Sequence, residues 1–534
     1  MERPHASLPD EPGKLKALLA EKDDALARSA HQIEILEGKL AWFEEQLRLA
    51  RHKRFGASSE KSPDQASLFD EAEALIEIEE TAEPEAAPAA PSNKRKPGRR
   101  PLPADLPREE VIHDLAEAEK VCACCGGALH PIGEARSEQL EIIPAKARVI
   151  VHVRPKYACR RCEDGIQCAS LPPQPIPKSI ATPALLAWVV TGKFLDRMPL
   201  YHQEGVLARM GVDLSRTTLA EWMIRAGMLL DPLYQALHRA LIGVDIVQAD
   251  ETTLQVLKEP GKQAQSKSYL WVYHAGTGPP ITLYEYQSSR GAVHPERFLE
   301  GFCGYLQSDG YSGYERLRAK HAGITAVGCM AHVRRKFHEA EKAHPNHKAK
   351  KGSATSRALG FIGKLYALEK RIRDLPPEGR HRMRQDLAKP LLEAFHTWLV
   401  KTRPRVTPQS LLGEALGYAL NQWPTLLTYL EDGRLEIDNN ATEREIRPFV
   451  MGRRAWLFAA TPKGAQASAV LYSVVLCAKA NGLDPYSYLR RLFEQLPAID
   501  PEDTVAIEAL LPWRFAEAAA TSPISENPAD SAAA

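Results

Sequence analysis

Leu19, Leu26, Ile33, Leu40 and Leu47 recur every seven residues, with Leu36 and Phe43 on a second seam position. A strict seven-residue apolar repeat over about four heptads predicts a coiled coil, here across residues 14–50. Lys22 and Ser29 fall on the second seam and weaken its N-terminal end. A single amphipathic helix packed against its own protein is the alternative, but the strict period favours self-association. Periodicity then stops. Residues 51–110 carry basic steps at both ends and an acidic, Ala- and Pro-rich stretch over 70–90, which predicts a disordered linker with little to bury.

Apolar runs return at residues 139–143 and 148–153, which read as two strands. Residues 181–242 turn helical. Thr182-Pro183 is a capped helix start, residues 200–210 make a second helix stopped at Gly211, and Ser215 can cap a third that begins at Arg216. Helix, short Gly-containing turn and capped helix form a helix-turn-helix-like pattern. From residue 244 the period changes. Residues 244–250, 269–273 and 281–286 predict three strands with short connections, an antiparallel meander. A helix begins over 295–299. Residues 304–309 and 324–329 predict two further strands, and a basic helix follows around Arg334, Arg335 and Lys336. Two of these strands are expected to end in an acid, Asp250 and Asp309.

Composition sets the scale. The 44 % apolar content supports packed cores, and 534 residues suggest roughly two to four domains. With 69 basic and 68 acidic residues the formal charge is +1, so any attraction to a polyanion must come from local patches. The sequence shows no secretory apolar segment and no run of about 18 apolar residues, so no membrane partner is expected. The expected compartment is the cytoplasm, where close cysteine pairs read as metal ligands before disulfides.

Cys122-x-x-Cys125 and Cys159-x-x-Cys162 stand 33 residues apart and flank the two predicted strands. Each knuckle presents two thiolates on one side, and tetrahedral zinc takes four. The pattern predicts a zinc ribbon-like module over 111–170 with one structural Zn²⁺ and no open coordination place; ordinary buried cysteines are the alternative. Cys124 and Cys168 are left over. The basic step at 94–101, with Arg99 and Arg100, and the third helix start at Arg216 are candidate DNA contacts. A merely solvated basic run, or a helical packing unit, is the competing reading.

Phosphodiester cleavage without a covalent intermediate needs a water or hydroxyl activated near neutral pH and a neutralised leaving oxygen. Two Mg²⁺ ions (or Mn²⁺) about 3.5–4 Å apart, held by hard oxygen ligands, serve both needs. Asp250 and Asp309 are candidate ligands. A third acid must come from downstream, where residues 438–448 form the densest polar cluster. Asp or Asn there can cap a helix with Glu443 in its first turns, and Arg444 and Arg447 nearby as phosphate contacts. Glu445 is the rival, two positions on and about 200° further round such a helix.

The strand–strand–strand–helix–strand–helix–strand order resembles that of ribonuclease H-like domains. More specifically, Gln248-Ala249-Asp250-Glu251-Thr252, Ser308-Asp309-Gly310-Tyr311-Ser312-Gly313-Tyr314 and Asp438-Asn439-Asn440-Ala441-Thr442-Glu443-Arg444 resemble blocks of bacterial transposases of the insertion sequence 66 family. So do Arg54-Phe55-Gly56, Lys96-Pro97-Gly98-Arg99-Arg100, the two cysteine knuckles, the run from Cys329 to Phe337 and Asn481-Gly482-Leu483-Asp484-Pro485. The resemblance implies an Asp-Asp-Glu catalytic triad at Asp250, Asp309 and Glu443 on a ribonuclease H-like domain. From Asp309 to Glu443 the chain runs 134 positions, so a helical insertion of about 340–430 is expected, with Lys348, Lys350 and Lys351 in a loop. Cys329-x-x-His332 resembles a feature near the second acid of several such transposases; packing or hydrogen bonding is favoured over a third metal site.

The expected fold is therefore multidomain α+β: coiled coil (14–50), linker (51–110), zinc module (111–170), helix-turn-helix-like region (181–242), ribonuclease H-like catalytic domain (243–475) and C-terminal helical segment (476–515). The expected function is DNA cleavage at transposon ends and strand transfer into a target. Double-stranded DNA is the partner, contacted also through Arg334 and Arg335, with self-association through the coiled coil and accessory proteins of the same element. The setting is bacterial and nucleoid-associated. A ribonuclease H-like nuclease that cuts without joining, and a zinc-containing DNA-binding protein without chemistry, are the rivals.

Overall fold

A computed structural model describes residues 146–157, 167–343 and 352–521, with positions 13, 16, 19–26, 28, 29, 32, 33, 108 and 110. The chain divides into two compact units, Ala74–Arg154 and the remainder. Leu19, Leu26 and Ile33 of the heptad seam are helical and exposed. The rest of that seam, Arg99, Arg100, the strand expected at 139–143, Cys122, Cys125, Cys159, Cys162 and the three loop lysines lie outside the described residues. The strand expected at 148–153 is not one: these residues carry no strand pairing, and Val149, Val151 and Val153 stand exposed. Its expected hairpin partner is outside the described residues. A two-residue antiparallel pair, Lys156–Tyr157 with Gln167–Cys168, forms instead.

Three helices precede the main sheet. Helix α1 (Pro183–Phe194) starts at Thr182, whose hydroxyl accepts the Leu185 N–H at 3.1 Å. Helix α2 (Leu200–Arg209) stops before Gly211, which adopts φ +79°. Helix α3 (Arg216–Ile242) starts at Ser215, which caps Thr218 N–H at 3.2 Å. These caps satisfy backbone donors that a helix start leaves unpaired. Buried residues of α1 and α3 join the same hydrophobic core as the sheet that follows.

That sheet has five strands: β1 (Ile246–Gln255), β2 (Lys267–Ala275), β3 (Thr282–Gln287), β4 (Gly304–Gln307) and β5 (Ile324–Val327). Helices α4 (Val293–Phe298) and α5 (Ser312–Lys320) alternate with the last strands. Their order across the sheet is β3-β2-β1-β4-β5. The first three strands pair antiparallel, while β1–β4 and β4–β5 pair parallel. Gly304 permits the parallel contact: it holds φ +146°, and a Cβ there would stand 2.2 Å from the Asp245 carbonyl oxygen. Only glycine fits so close a backbone approach.

Both acid-bearing strand ends differ from the sequence expectation: β4 stops at Gln307, two residues before Asp309, and β1 runs past Asp250. Asp250 does not close β1, which continues to Gln255. The parallel partner β4 covers only Ile246–Gln248, but the antiparallel partner β2 runs on to the pair Gln255↔Lys267. Asp250 therefore lies where β1 loses one neighbour and keeps the other.

After β5, helix α6 (Met330–Lys342) leads into a helical stretch: α7 (Ala354–Ile372), α8 (Pro377–Met383), a π-helical turn (Arg384–Ala388), α9 (Lys389–Thr402), α10 (Leu411–Asn421) and α11 (Trp423–Leu427). These helices share a second hydrophobic cluster with Val333 and Phe337 of α6 and with Ile246 and Val327 of the sheet. Helix α12 (Asn440–Trp456) then packs on β1 and β2, and α13 (Pro462–Ala480) packs along α3 and β3. Helix α14 (Pro485–Gln495) lies against α1. Among the described residues, no helix is long and apolar enough to cross a membrane.

Candidate active site

Two glutamines set the geometry. Gln248 of β1 and Gln307 of β4 are register partners in the parallel pair, and both are buried. Gln248 donates to Gln307 Oε1 at 2.8 Å, and Gln307 donates to the Glu436 carbonyl at 2.8 Å. Asp250 and Asp309 each lie two residues beyond this pair. Because strand side chains alternate, the step of two keeps Asp250 on the Gln248 face. Register thus brings the two aspartates alongside one another. Thr442 completes the network: its hydroxyl donates to Gln248 Oε1 at 3.1 Å and its N–H reaches the same oxygen at 3.4 Å. Thr442 precedes Glu443 in the first turn of α12, so the network ties the glutamate's helix to both strands.

The helix start forms differently from the expected cap. Asn439 stands at the N-cap but makes no side-chain cap bond. Its Oδ1 instead accepts the Cys329 thiol at 2.9 Å. Asp438 takes over locally, accepting the Asn440 N–H at 3.2 Å and the Tyr366 hydroxyl at 2.6 Å.

Glu443 stands beside Arg335, whose Nη2 is 3.4 Å from its Oε1, and beside His332 Nε2 at 4.0 Å. Glu445 points elsewhere. Its backbone carbonyl accepts the Tyr284 hydroxyl, and the charges that act on its carboxyl are Arg444 and Lys479. Arg444, Arg447 and Arg216 are exposed, while Arg334 is half-buried on α6.

The acids form one electrostatic cluster. Burial, followed by the Glu251, Asp309 and Glu443 carboxylates, raises the Asp250 carboxyl well above its ordinary range. The Glu251 N–H to Asp250 Oδ1, at 2.8 Å, opposes that rise. Burial also raises Asp309, against the Tyr311 N–H at 3.0 Å and the charges of Arg290 and Arg335. Glu251 faces the opposite side of β1, where Tyr314 of α5 donates to its Oε2 at 3.1 Å. Burial, then Asp309, pushes Glu251 up to about 7. Arg290, in the loop after β3, donates from Nε to Glu251 Oε1 at 2.6 Å, and its Nη2 lies 3.8 Å from Asp309 Oδ2.

Buried like charges repel strongly at low dielectric, and such a cluster gains most from a bound cation. Carboxylate oxygens are the donors that Mg²⁺ and Mn²⁺ prefer. Asn439 Nδ2, Asn440 Oδ1 and His332 Nδ1 are also buried without a protein partner. Among the described residues, however, no three His, Cys, Asp or Glu side chains converge into a closed metal cage. The Cys329 thiol is spent on a hydrogen bond to Asn439, while His332 keeps its Nδ1 without a protein partner. Burial, then Asp438 and Glu443, raises the thiol, which donates to Asn439. Burial, then Arg335 and Lys336, lowers His332 to about 3, so its imidazole is neutral.

Gln248, Gln307, Thr442, Glu251 and Arg290 were not singled out from sequence. A signal for the glutamines existed in the repeated Gln-x-Asp at Gln248-Ala249-Asp250 and Gln307-Ser308-Asp309. Arg290 sits in Ser288-Ser289-Arg290-Gly291, which reads only as a turn.

Comparison with known proteins gives the chain relatives. The sequence profile described as "Transposase IS66 family" matches residues 178–467, which include Asp250, Asp309 and Glu443. The "zinc-finger binding domain of transposase IS66" matches 119–163, which include the four knuckle cysteines. "Transposase C of IS166 homeodomain" matches 42–111, and the "IS66 C-terminal element" matches 473–513. Uncharacterized protein y4jD of Sinorhizobium fredii (strain NBRC 101917 / NGR234) is 35 % identical over 427 residues, covering 78 % of this chain and 81 % of that protein. Uncharacterized protein y4qI of the same strain is 33 % identical over 545 residues, covering 96 % of this chain and 98 % of that protein.

Proposed function

The chain belongs to the IS66 family of transposases, and from that premise we propose that Asp250, Asp309 and Glu443 form its DNA-cutting and DNA-joining centre. The observation that carries this reading is the Gln248↔Gln307 register, which sets the two aspartates side by side, with Thr442 binding the Glu443 helix to the same pair. Three antiparallel strands continued by two parallel ones support a ribonuclease H-like catalytic domain.

Asp250, Asp309 and Glu443 would hold two Mg²⁺ or Mn²⁺ ions, which supply an activated water or hydroxyl and neutralise the leaving oxygen. The chain's own part is placement. Gln248, Gln307 and Thr442 fix where the carboxylates stand. Arg335 holds Glu443 from the α6 side. A 3′ hydroxyl freed at the element's end then attacks a target phosphodiester in line, with no covalent link to the protein, so the gain comes from orientation.

The remaining modules serve DNA handling. Cys122, Cys125, Cys159 and Cys162 would hold one structural Zn²⁺, a reading the zinc-finger match supports. Arg99, Arg100, Arg216, Arg334, Arg444 and Arg447 are the DNA contacts of this reading. The heptad seam pairs protomers, because two DNA ends must meet; exposed Leu19, Leu26 and Ile33 suit such a seam. Accessory proteins of the same element complete the assembly.

A strand-transfer assay with pre-cut ends tests the reading. Joining by the wild-type chain and loss of cleavage with retained DNA binding in Asp250→Ala are expected. Cutting without joining would reduce the protein to a nuclease, and unchanged cleavage in Asp250→Ala would remove the acids from the chemistry.

A further inference from the structure

We propose that Arg290 grips a backbone phosphate of the DNA strand at this site, with Glu251 as the residue that positions it, an assignment that rests on the DNA-cutting reading above. Arg290 is pinned from three sides. Its Nε donates to Glu251 Oε1 at 2.6 Å, and Nη2 pairs with the same oxygen. Its Cζ lies 4.2 Å from the centroid of the Tyr311 ring, and the Tyr311 hydroxyl donates to the Arg290 carbonyl. Nη2 stands 3.8 Å from Asp309 Oδ2.

Glu251 is itself fixed, with a side chain only 3 % exposed and a bond from the Tyr314 hydroxyl. The arginine side chain, in contrast, is 43 % exposed. No hydrogen bond is made by its Nη1 among the described residues. A guanidinium carries five N–H donors in a planar fork that matches phosphate oxygens. Here part of the fork orients the group on buried Glu251, and the rest faces solvent at the lip of the acid cluster.

The charge balance gives that placement a purpose. A DNA phosphate approaching Asp250, Asp309 and Glu251 meets like charge. Arg290 is a fixed cation beside Asp309, so it offsets that repulsion where the strand must enter. An arginine serving only the fold would be enclosed with its donors spent, as Arg384 is: fully buried and bonded to Glu369 and to two backbone carbonyls. Lysine cannot replace the fork, because a point charge loses the two-pronged contact.

The test is Mn²⁺-dependent nicking of a supercoiled plasmid by the full chain, with kcat/KM measured against NaCl. Arg290→Gln should lower kcat/KM by about 10- to 100-fold, the worth of a charged hydrogen bond. It should also make the slope of log kcat/KM against log salt shallower by about 0.9, the signature of one lost phosphate contact. Glu251→Gln should lower the rate and keep the wild-type slope, because the cation remains. An Arg290→Gln protein with reduced rate and unchanged slope would overturn the proposal, since a role in folding alone leaves counterion release untouched.

Should Arg290→Gln fail to fold, Arg290→Lys decides: a reduced kcat/KM with the wild-type slope supports the phosphate contact, and wild-type kcat/KM refutes it. If the wild-type chain nicks nothing, the functional reading fails separately. The arginine is then judged on equilibrium binding of the same plasmid, where the same slope difference is required and its absence refutes the contact.

Discussion

Two buried charge clusters in this chain are built on opposite rules. In the helical stretch after β5, Arg384 is fully buried and wholly satisfied. It donates to Glu369 at 3.0 and 2.7 Å and to the carbonyls of Tyr429 and Asp432 at 3.2 and 3.1 Å, and lies 5.0 Å from the centroid of the Tyr429 ring. In the sheet, burial raises Asp250, Glu251 and Asp309, and neighbouring carboxylates add to the rise at Asp250 and Glu251. At its edges that cluster meets two cations, Arg290 beside Glu251 and Arg335 beside Glu443. A charge kept for the fold is neutralised by its surroundings. On the proposed function, the acid cluster is left under strain that a bound cation and substrate can relieve. Breaking each cluster should therefore damage different things.

The largest effect is expected on activity. Asp250→Asn should lower DNA cutting by at least about 10³-fold, in the range seen when one member of a catalytic set is removed. Its thermal midpoint should stay level or rise, because repulsion is relieved; an unfolded variant would place Asp250 with the structural charges. Arg384→Ala should do the reverse. It leaves Glu369 unpaired and should cost about 3–5 kcal/mol in denaturant unfolding, while any folded fraction keeps its activity per molecule.

Glu285 lies between these extremes and sharpens the contrast. Its Oε1 takes bonds from Gln287 at 2.6 Å and Arg297 at 3.3 Å, but Oε2 is buried without a partner. Burial raises this carboxyl to about 7. Its native form holds a proton that the unfolded chain releases near pH ~4.3. The resulting stability is present below that pH and is lost as pH rises through about 7. Glu285→Gln should therefore gain on the wild type between pH 5 and 8, by roughly 4 kcal/mol at most. A parallel pH profile for the two proteins would contradict the account of Glu285.

The smallest effect concerns the neutral network. Gln248→Leu orphans Thr442 and Gln307 and should cost about 1–3 kcal/mol of stability. Cutting should fall by between about 10- and 100-fold, through misplacement of carboxylates that remain present. Urea unfolding and nicking rates of the same preparation separate the two contributions, and full activity would show that the network does not position the site.

Much of this was readable in the chain because it is local. Thr182 and Ser215 cap their helices as their neighbours predict, and three successive strands, then helix, strand, helix and strand, follow in the expected order. Asp309 lies two residues past the end of its strand at Gln307. The pattern over 244–250 predicts a strand end at Asp250, but the strand's length depends on pairing with β2, which carries it to Gln255. Gln248 and Gln307 look like surface residues until register buries them together, 59 positions apart. Arg290 meets Glu251 across 39 positions, and Arg384 meets Tyr429 across 45. No periodicity records such encounters, since they are properties of the assembled sheet and helices.

Glu443 and Glu445 give the most direct test of the central claim. They are two positions apart on α12, but only Glu443 stands with Arg335 and adds to the repulsion on Asp250. The decisive measurement is the rate of Mn²⁺-dependent DNA cutting by Glu443→Gln and Glu445→Gln, each checked for folding by its thermal midpoint. A loss of at least about 10³-fold is expected in Glu443→Gln, with a rate near wild type in Glu445→Gln. Loss confined to Glu445→Gln, or wild-type cutting by Glu443→Gln, would contradict that claim.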